Sequence, residues 1–136
     1  MSPIGNVEAA RTMRAARQFA QALLDDGLLD RTWRVKCELY RAPDHVGRDR
    51  DVDMAVMLGL EGEEADCVDG AAIAPRLRRI HDKRELQLLG LRPIAFDKRH
   101  HLVIVRSGSV PTPSDGLRLW AFDPAGKLLL ERSYDP

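Results

Sequence analysis

The stretch from Val35 to Gly62, VKCELYRAPDHVGRDRDVDMAVMLGLEG, decides the fold of this chain. Its first part alternates apolar and polar residues, which predicts a half-buried β-strand. The predicted buried face carries Trp33, Val35, Cys37 and Leu39. A helix should begin within residues 49–53, where carboxylates suit the positive end of the helix dipole. Beyond Asp53 nearly every side chain is apolar, so this helix is expected at the centre of the fold.

Length and composition indicate one ordinary globular domain over residues 1–136. The chain is 44% hydrophobic and 31% charged, enough for a real core. Its 21 basic and 21 acidic residues cancel, so neither nucleic acid nor a membrane is an expected partner. The N-terminus has no basic segment followed by an apolar run, and we expect a cytoplasmic protein. Two widely separated cysteines, Cys37 and Cys67, suit a reducing compartment.

Two further helices are predicted on either side of the central stretch. Residues 7–26 repeat apolar side chains every three or four positions, between an Asn6 N-cap and a Gly27 C-cap. The apolar positions of this helix are Met13, Ala16, Ala20, Leu23 and Leu24. The third helix follows Ile73, Leu77 and Ile80, with Pro75 expected near its first turn. Its basic residues are expected to form a solvated face: Arg76, Arg78, Arg79, Lys83 and Arg84.

From Glu85 onward the apolar period changes to two, which predicts strands. The predicted strands cover residues 86–91, 93–96, 102–106, 117–122 and 127–134. Turns are expected at residues 97–98 and 123–126. Helices first and an antiparallel meander last indicate an α+β fold, with an antiparallel or mixed sheet that carries helices on one face.

The scaffold motifs of the chain resemble those of a known family. E-L-Y at residues 38–40 and A-V-M-L-G-L-E-G at residues 55–62 are similar to the β domain of iron–sulfur-dependent bacterial L-serine dehydratases. Other matching positions are 13–16, 94–97, Gly116, Arg118, Asp123, Arg132 and Tyr134. The resemblance covers nearly the whole chain and implies a serine dehydratase β-domain-like fold. By analogy, that fold resembles the allosteric substrate-binding domain of some phosphoglycerate dehydrogenases.

The polar motifs of that family are replaced in this sequence. Where the family reads G-H-G-T-D, residues 49–53 read D-R-D-V-D, so only the last aspartate is kept. The Ser-rich loop before the first helix is shortened, and the Y-H-P-N of a later loop has become T-P-S-D at residues 112–115. The resemblance therefore implies the family's scaffold without its histidines. Ligand-binding loops at the equivalent places would use Asn6, Glu8, Thr112, Ser114 and Asp115.

No cofactor and no metal site are expected. In the family, a second domain holds a [4Fe–4S] cluster that acts as a Lewis acid, and a cluster needs several convergent thiolates, more than two distant cysteines provide. The run that begins at Asp49 lacks the Gly and Glu of a calcium-binding loop. His100 and His101 stand at the start of a predicted strand, where they would point to opposite faces.

Candidate catalytic residues concentrate in the central polar loop. A histidine beside carboxylates can serve as a general base. The candidate set is therefore His45, Asp49, Arg50 and Asp53. The other histidines are expected to have structural or surface roles.

Three functions remain open at this point, and with them the question of whether the chain is an enzyme. The first is a stand-alone β-domain-like protein without serine dehydratase activity of its own, acting as a small-molecule-binding or partner-binding module. The second is an enzyme with a rebuilt pocket, a cyclase, isomerase or lyase acting on a larger metabolite. The third is the accessory beta subunit of a split L-serine dehydratase. The expected partners are a small-molecule ligand or a separate catalytic alpha chain, with a homodimer as a further expectation.

Overall fold

Helices pack on one face of a mixed four-stranded sheet in this computed structural model, which describes residues 7–41, 49–65, 69–106 and 116–134. The helices are α1 (Val7–Asp25), α2 (Asp49–Leu60), α3 (Gly70–Lys83) and the single turn α4 (Lys98–His101), with a 3-10 turn at Leu29–Arg31. The strands are β1 (Arg34–Arg41), β2 (Glu85–Leu88), β3 (Arg92–Ala95), β4 (Leu102–Arg106), β5 (Gly116–Phe122) and β6 (Leu128–Tyr134). The predicted α+β class is confirmed.

The sheet order is β4-β1-β5-β6, which places the first strand of the chain in the interior of the sheet. β1 pairs in parallel with β4, Cys37 lying opposite Leu102, and antiparallel with β5, Cys37 lying opposite Leu119. β2 and β3 form a separate two-stranded hairpin. The expectation of a C-terminal antiparallel meander is therefore wrong, because the central strand is inserted between two strands that come much later in the chain.

The two faces of β1 follow the predicted alternation. Val35, Cys37 and Leu39 are buried under the helices, and the residues between them face outward. Trp33 departs from the prediction, since it lies just before the strand and is 55% exposed. Its backbone N–H donates to the carbonyl of Phe122 at 2.8 Å, so the backbone is held while the indole remains in contact with solvent.

α1 and α2 run in the same direction and touch closely at Gly59. A Cβ on Gly59 would lie 2.8 Å from the Cβ of Ala16 and closer still to the carbonyl oxygen of Met13. One turn further along α1, Nε of Arg17 donates to the carbonyl of Gly62, just beyond the end of α2, at 3.3 Å. The absence of a side chain at Gly59 thus lets two buried helices approach backbone to backbone.

The first helix ends as predicted. Gly27 has a φ of +71°, and the N–H of Leu28 donates to the carbonyl of Leu23, the arrangement of a Schellman cap. Leu24, predicted to be buried, is 41% exposed, because it lies in the last turn, where little packs beside it.

The third helix begins earlier than Pro75 suggested. Its N-cap is Asp69, whose Oδ1 accepts from the N–H of Ala71 at 3.1 Å. Pro75 is therefore the sixth residue of the helix rather than a first-turn residue, and the helix forgoes one backbone hydrogen bond there. Ile80 is the fully buried side chain of this helix, while Ile73 and Leu77 are half-buried.

The C-terminal half contains the predicted strands with somewhat different ends. Residues 97–98 do not simply turn, since the one-turn helix α4 follows Asp97. The turn at residues 123–126 is confirmed: Oδ1 of Asp123 accepts from the N–H groups of Ala125 and Lys127. Among the described residues, no helix has the length and apolar character needed to cross a bilayer.

Candidate functional site

The ends of several strands and helices converge at one end of the sheet. Because β1 and β4 are parallel, their carboxyl ends share an edge, where Tyr40 lies opposite both Val105 of β4 and Gly116 of β5. α1 and α2 run side by side in the same direction, so their first turns also lie near each other. The described elements that flank the segments 42–48 and 107–115 thus meet at this one end, which we call the loop end.

Asp53 is the candidate catalytic residue that the structure describes in full. It lies in the second turn of α2 with 6% of its surface exposed. Its charge acts on the fully buried Cys37 of β1. Burial raises the pKa of the Cys37 thiol well above its usual value, and the carboxylates of Asp53 and Glu38 raise it further. Cys37 is therefore a protonated thiol in the core rather than a nucleophile.

A second buried carboxylate, Glu61, directly follows the last residue of α2, at the end of the helix away from Asp53. The sequence analysis did not single it out. Oε2 of Glu61 accepts from Nη2 of Arg79 and from the N–H of Gln87, both at 2.9 Å. Its Oε1 lies 3.4 Å from Nε of Arg76. The Glu61 side chain is 3% exposed, so α2, α3 and the β2–β3 hairpin are tied together at an almost dry carboxylate.

Charge pairs extend outward from Glu61. Arg76 also pairs with Glu63, and Nη1 of Arg17 lies 3.3 Å from Glu64. The prediction of a solvated basic face on α3 is therefore wrong for Arg76 and Arg79, which pair with acidic residues after α2. It is confirmed for the exposed basic residues Arg78, Lys83 and Arg84. The Glu61 cluster, defined as Glu61, Glu63, Arg76 and Arg79, holds the far end of the helix that carries Asp53.

The two adjacent histidines do not begin a strand, as expected, but lie in α4. Nδ1 of His101 accepts from the N–H of Asp97 at 2.8 Å, and its ring lies 5.7 Å from that of Phe96. Nδ1 of His100 lies 3.1 Å from Oδ2 of Asp97. Both histidines thus close the same turn, which is a structural role, and His81 is an exposed residue of α3.

Most of the remaining candidates lie outside what the structure describes. His45, Asn6, Thr112, Ser114 and Asp115 fall in residues 1–6, 42–48 and 107–115. For Glu8, Asp49 and Arg50 the structure describes the helical backbone and not the side chain. These residues remain predictions, and what the structure adds is the convergence of their flanking elements at the loop end.

The described donors do not fit an iron–sulfur cluster or a metal ion. Within residues 7–41, 49–65, 69–106 and 116–134, no three His, Cys, Asp or Glu side chains are grouped as ligands. Cys37 is buried with a raised thiol pKa, opposite to the thiolate that cluster ligation requires. The described residues build a closely packed scaffold below the loop end.

Comparison with known proteins identifies the family of this chain. The sequence model of the serine dehydratase beta chain family matches residues 8–135. This chain belongs to the serine dehydratase beta chain family. It is 36% identical to the L-serine dehydratase of Streptomyces coelicolor over 122 residues, and 28% identical to L-serine dehydratase 1 of Escherichia coli over 111 residues.

The matches cover most of this chain and a minor part of each relative. For the Streptomyces protein they span 90% of this chain and 27% of the relative, and for the Escherichia protein 82% and 24%. An L-serine dehydratase of Mycobacterium bovis, 29% identical, is matched over 26% of its length. The chain thus corresponds to about a quarter of these serine dehydratases.

Proposed function

We propose that this serine dehydratase beta chain is a binding module that docks on a separate catalytic alpha chain at its loop end and does not dehydrate serine by itself. The observation that carries the proposal is the convergence at the loop end of β1, β4, β5 and the first turns of α1 and α2. The matched relatives are about fourfold longer than the region they share with this chain. Their unmatched part is the natural model for the partner.

The scaffold suits a docking role because its interior is fixed. Gly59 locks α1 to α2, and the Glu61 cluster locks α2 to α3. A packed scaffold can carry a binding surface without first having to order its own helices, which lowers the entropy cost of association. The described cysteine, Cys37, is a buried protonated thiol and not an activated nucleophile, which is consistent with a binding role.

The test is purification of the full chain from its own host, followed by native mass spectrometry and an anaerobic assay of ammonia release from L-serine. The proposal expects a complex with an iron-containing chain that is active, while the separated beta chain is inactive. A protein that stays free of any such chain, or a separated chain that turns over serine, would contradict it. A cytoplasmic location remains our expectation.

A rebuilt pocket is the second candidate, favoured by one observation. Asp53 is a carboxylate with 6% exposure in the second turn of α2, and in the sequence it follows the predicted candidates His45, Asp49 and Arg50. Burial is the environment that tunes a carboxylate for acid–base work. If native mass spectrometry detects a retained metabolite, Arg50→Ala should abolish its retention. Arg78→Ala, which removes an exposed arginine of α3, should leave it intact.

A further inference from the structure

α3 is the least buried of the three long helices. Residues 70–83 are all described, and of these Ile80 alone is buried, whereas Ile73 and Leu77 are half-buried. α1 and α2, by contrast, each bury a long stripe of side chains against the sheet and against each other. α3 is therefore attached through one buried anchor, two half-buried side chains and the two arginines of the Glu61 cluster.

The apolar cluster beneath α3 is distinct from the main core. Ile73 and Leu77 of α3 pack against it from outside. Its buried members belong to α1 and α2, and we call it the α1–α2 cluster: Ala9, Met13, Ala55 and Leu58. Ala9 and Ala55 lie in the first two turns of their helices, so the cluster extends toward the loop end. α3 thus covers apolar surface that continues toward the candidate site.

One residue joins α3 to the β2–β3 hairpin. Arg84 follows the last residue of α3 and precedes β2, and its φ of +50° is left-handed. This conformation is unfavourable for a residue with a Cβ and suits glycine. The carbonyl of Arg84 accepts from the N–H of Phe96 at 2.8 Å, so the hairpin side of the joint is fixed. Arg84 is consequently placed as a hinge whose strain is relieved when α3 moves away.

The other elements keep contacts of their own when α3 is removed. The carboxylate of Glu61 also accepts from the N–H of Gln87, which ties the hairpin to α2 directly. Leu86 and Leu88 are fully buried in the main core, and the contact at Gly59 joins α1 to α2. A detached α3 should unfold, because a helix of 14 residues is marginal in water and Pro75 removes one of its hydrogen bonds.

We propose that α3 is a hinged cover that opens as one unit about Arg84 while α1, α2 and the sheet stay folded. The closed form, held by the Glu61 cluster, is the major one. The open form uncovers the α1–α2 cluster beside the loop end. Because a ligand shifts an equilibrium toward the state that it binds better, this opening is a device for regulating what binds there. The opening belongs to the free chain and does not depend on the docking of a catalytic chain.

Hydrogen exchange of the full chain, followed by mass spectrometry at low urea concentrations, tests this opening. The amides of α3 should exchange as a group, about tenfold or more faster than the slowest amides of α1 and α2 after correction for intrinsic rates. Their exchange should also depend less steeply on urea, because local opening exposes less surface than global unfolding.

Two substitutions should change the opening of α3 in opposite directions. Glu61→Gln should speed the exchange of α3 by about tenfold, because the closed form loses its charged hydrogen bonds. Glu64→Gln is the matched control, since that carboxylate is 51% exposed and pairs with Arg17 of α1, and it should have less than about a twofold effect. Arg84→Gly should slow the exchange of α3 by about threefold or more, because glycine fits the left-handed joint.

Gly59→Ala separates local opening from global unfolding. The contact between α1 and α2 persists in the open form, so this substitution should speed the exchange of α1 and α2 and leave that of α3 unchanged. If α3 instead exchanges at the rate and with the urea dependence of α1 and α2, it detaches only in global unfolding and the hinged cover is refuted. Faster exchange of α3 in Gly59→Ala, to the same extent as α1, overturns it as well. This comparison decides the matter even where Glu61→Gln does not fold.

Discussion

Arg79 donates to Oε2 of Glu61 at 2.9 Å, where the glutamate side chain is 3% exposed and the arginine 39% exposed. The carboxylate of this ion pair is therefore almost completely buried, whereas the guanidinium is partly exposed to solvent. The glutamate also sits at the negative end of the α2 dipole, an unfavourable place for a carboxylate unless cations compensate. Arg76 and Arg79 supply that compensation from α3, so the contact is a condition for α2 and α3 to pack together.

Replacing Glu61 by Gln should destabilise the fold by about 1–3 kcal/mol. The substitution removes charged hydrogen bonds and leaves Arg76 and Arg79 without the buried carboxylate that they pair with. Urea denaturation followed by circular dichroism measures the change. Glu64→Gln is the control, since Glu64 is 51% exposed and pairs with Arg17 at the surface, where a pair contributes about 0–1 kcal/mol. Equal effects of the two substitutions would show that the burial of Glu61 does not govern its contribution.

Gly59→Ala should destabilise the protein by about 1–3 kcal/mol through overpacking between α1 and α2. The new methyl group would lie 2.8 Å from the Cβ of Ala16, and the nearby carbonyl of Met13 is backbone that cannot rotate away. Thermal unfolding monitored by calorimetry measures the effect. Gly116→Ala should change stability by no more than about 0.5 kcal/mol, since its Cβ would meet Tyr134 O at 3.7 Å. A neutral Gly59→Ala would mean that the helices are not in close contact.

Protonation of His101 should destabilise the fold. Nδ1 accepts a hydrogen bond from Asp97, and partial burial lowers the pKa of His101, with Arg34 and His100 acting in the same direction and Asp97 opposing them. Because the folded pKa lies below the usual value of 6.5, the unfolded chain binds the proton more readily. The stabilisation is thus complete above about pH 6.5, falls as pH drops toward the folded pKa, and is constant below it.

Urea midpoints between neutral and mildly acidic pH measure this dependence. His101→Gln should flatten the His101 component of the profile, whereas His100→Gln, at a side chain 76% exposed, should reduce that component only slightly, because His100 is the weakest of the influences on the pKa of His101. A pH profile unaltered by His101→Gln would refute the assignment.

The outer face of the sheet should owe part of its stability to Trp120. Lys36 and Arg118 lie over its ring at 5.6 Å and 5.2 Å, and its indole N–H donates to Glu131. Phe122 carries one such cation, Arg34, at 5.3 Å. Trp120→Leu should therefore cost about 1–2 kcal/mol and Phe122→Leu about 0.5–1 kcal/mol. Denaturation midpoints compare the two, and a larger loss for Phe122→Leu would contradict the cation–π account.

Cys37 should react with thiol reagents only when the protein unfolds. In a Cys67→Ser background, modification by a disulfide reagent should proceed at the rate of unfolding, because the thiol is 0% exposed and its pKa is raised. Rapid stoichiometric labelling under native conditions would show that the core around Cys37 opens.

Local periodicity predicted the helices and β1 well, and it failed where an element ends. Leu24 and Trp33 continue the apolar period of α1 and β1, yet they are 41% and 55% exposed, so the elements within the described part of the chain do not bury them. The sequence pattern shows which face of a helix or strand is apolar, but it does not show how far along that face the neighbouring elements pack. The parallel pairing of β1 with β4 was also missed, because it joins residues more than 60 positions apart, as Cys37 and Leu102 are.

The candidate site was predicted unevenly for a physical reason. Asp53 was named as a candidate because it stands in a recognisable motif at the start of a helix, and its role in a site stays a prediction. Glu61 was missed, since its partner Arg79 lies 18 positions away and an acidic residue after a helix resembles ordinary surface. Only the packing of α3 against α2 turns that residue into a buried charge.

The interior position of β1 affects how the chain can mature on the ribosome. Residues 34–41 are translated more than 60 residues before their hydrogen-bonding neighbours, residues 102–106 and 116–122. Until then the nascent chain presents an apolar strand with two unsatisfied edges, which favours association with other chains. Until β5 has been translated, β1 lacks one of its two neighbours, and the sheet order β4-β1-β5-β6 cannot form.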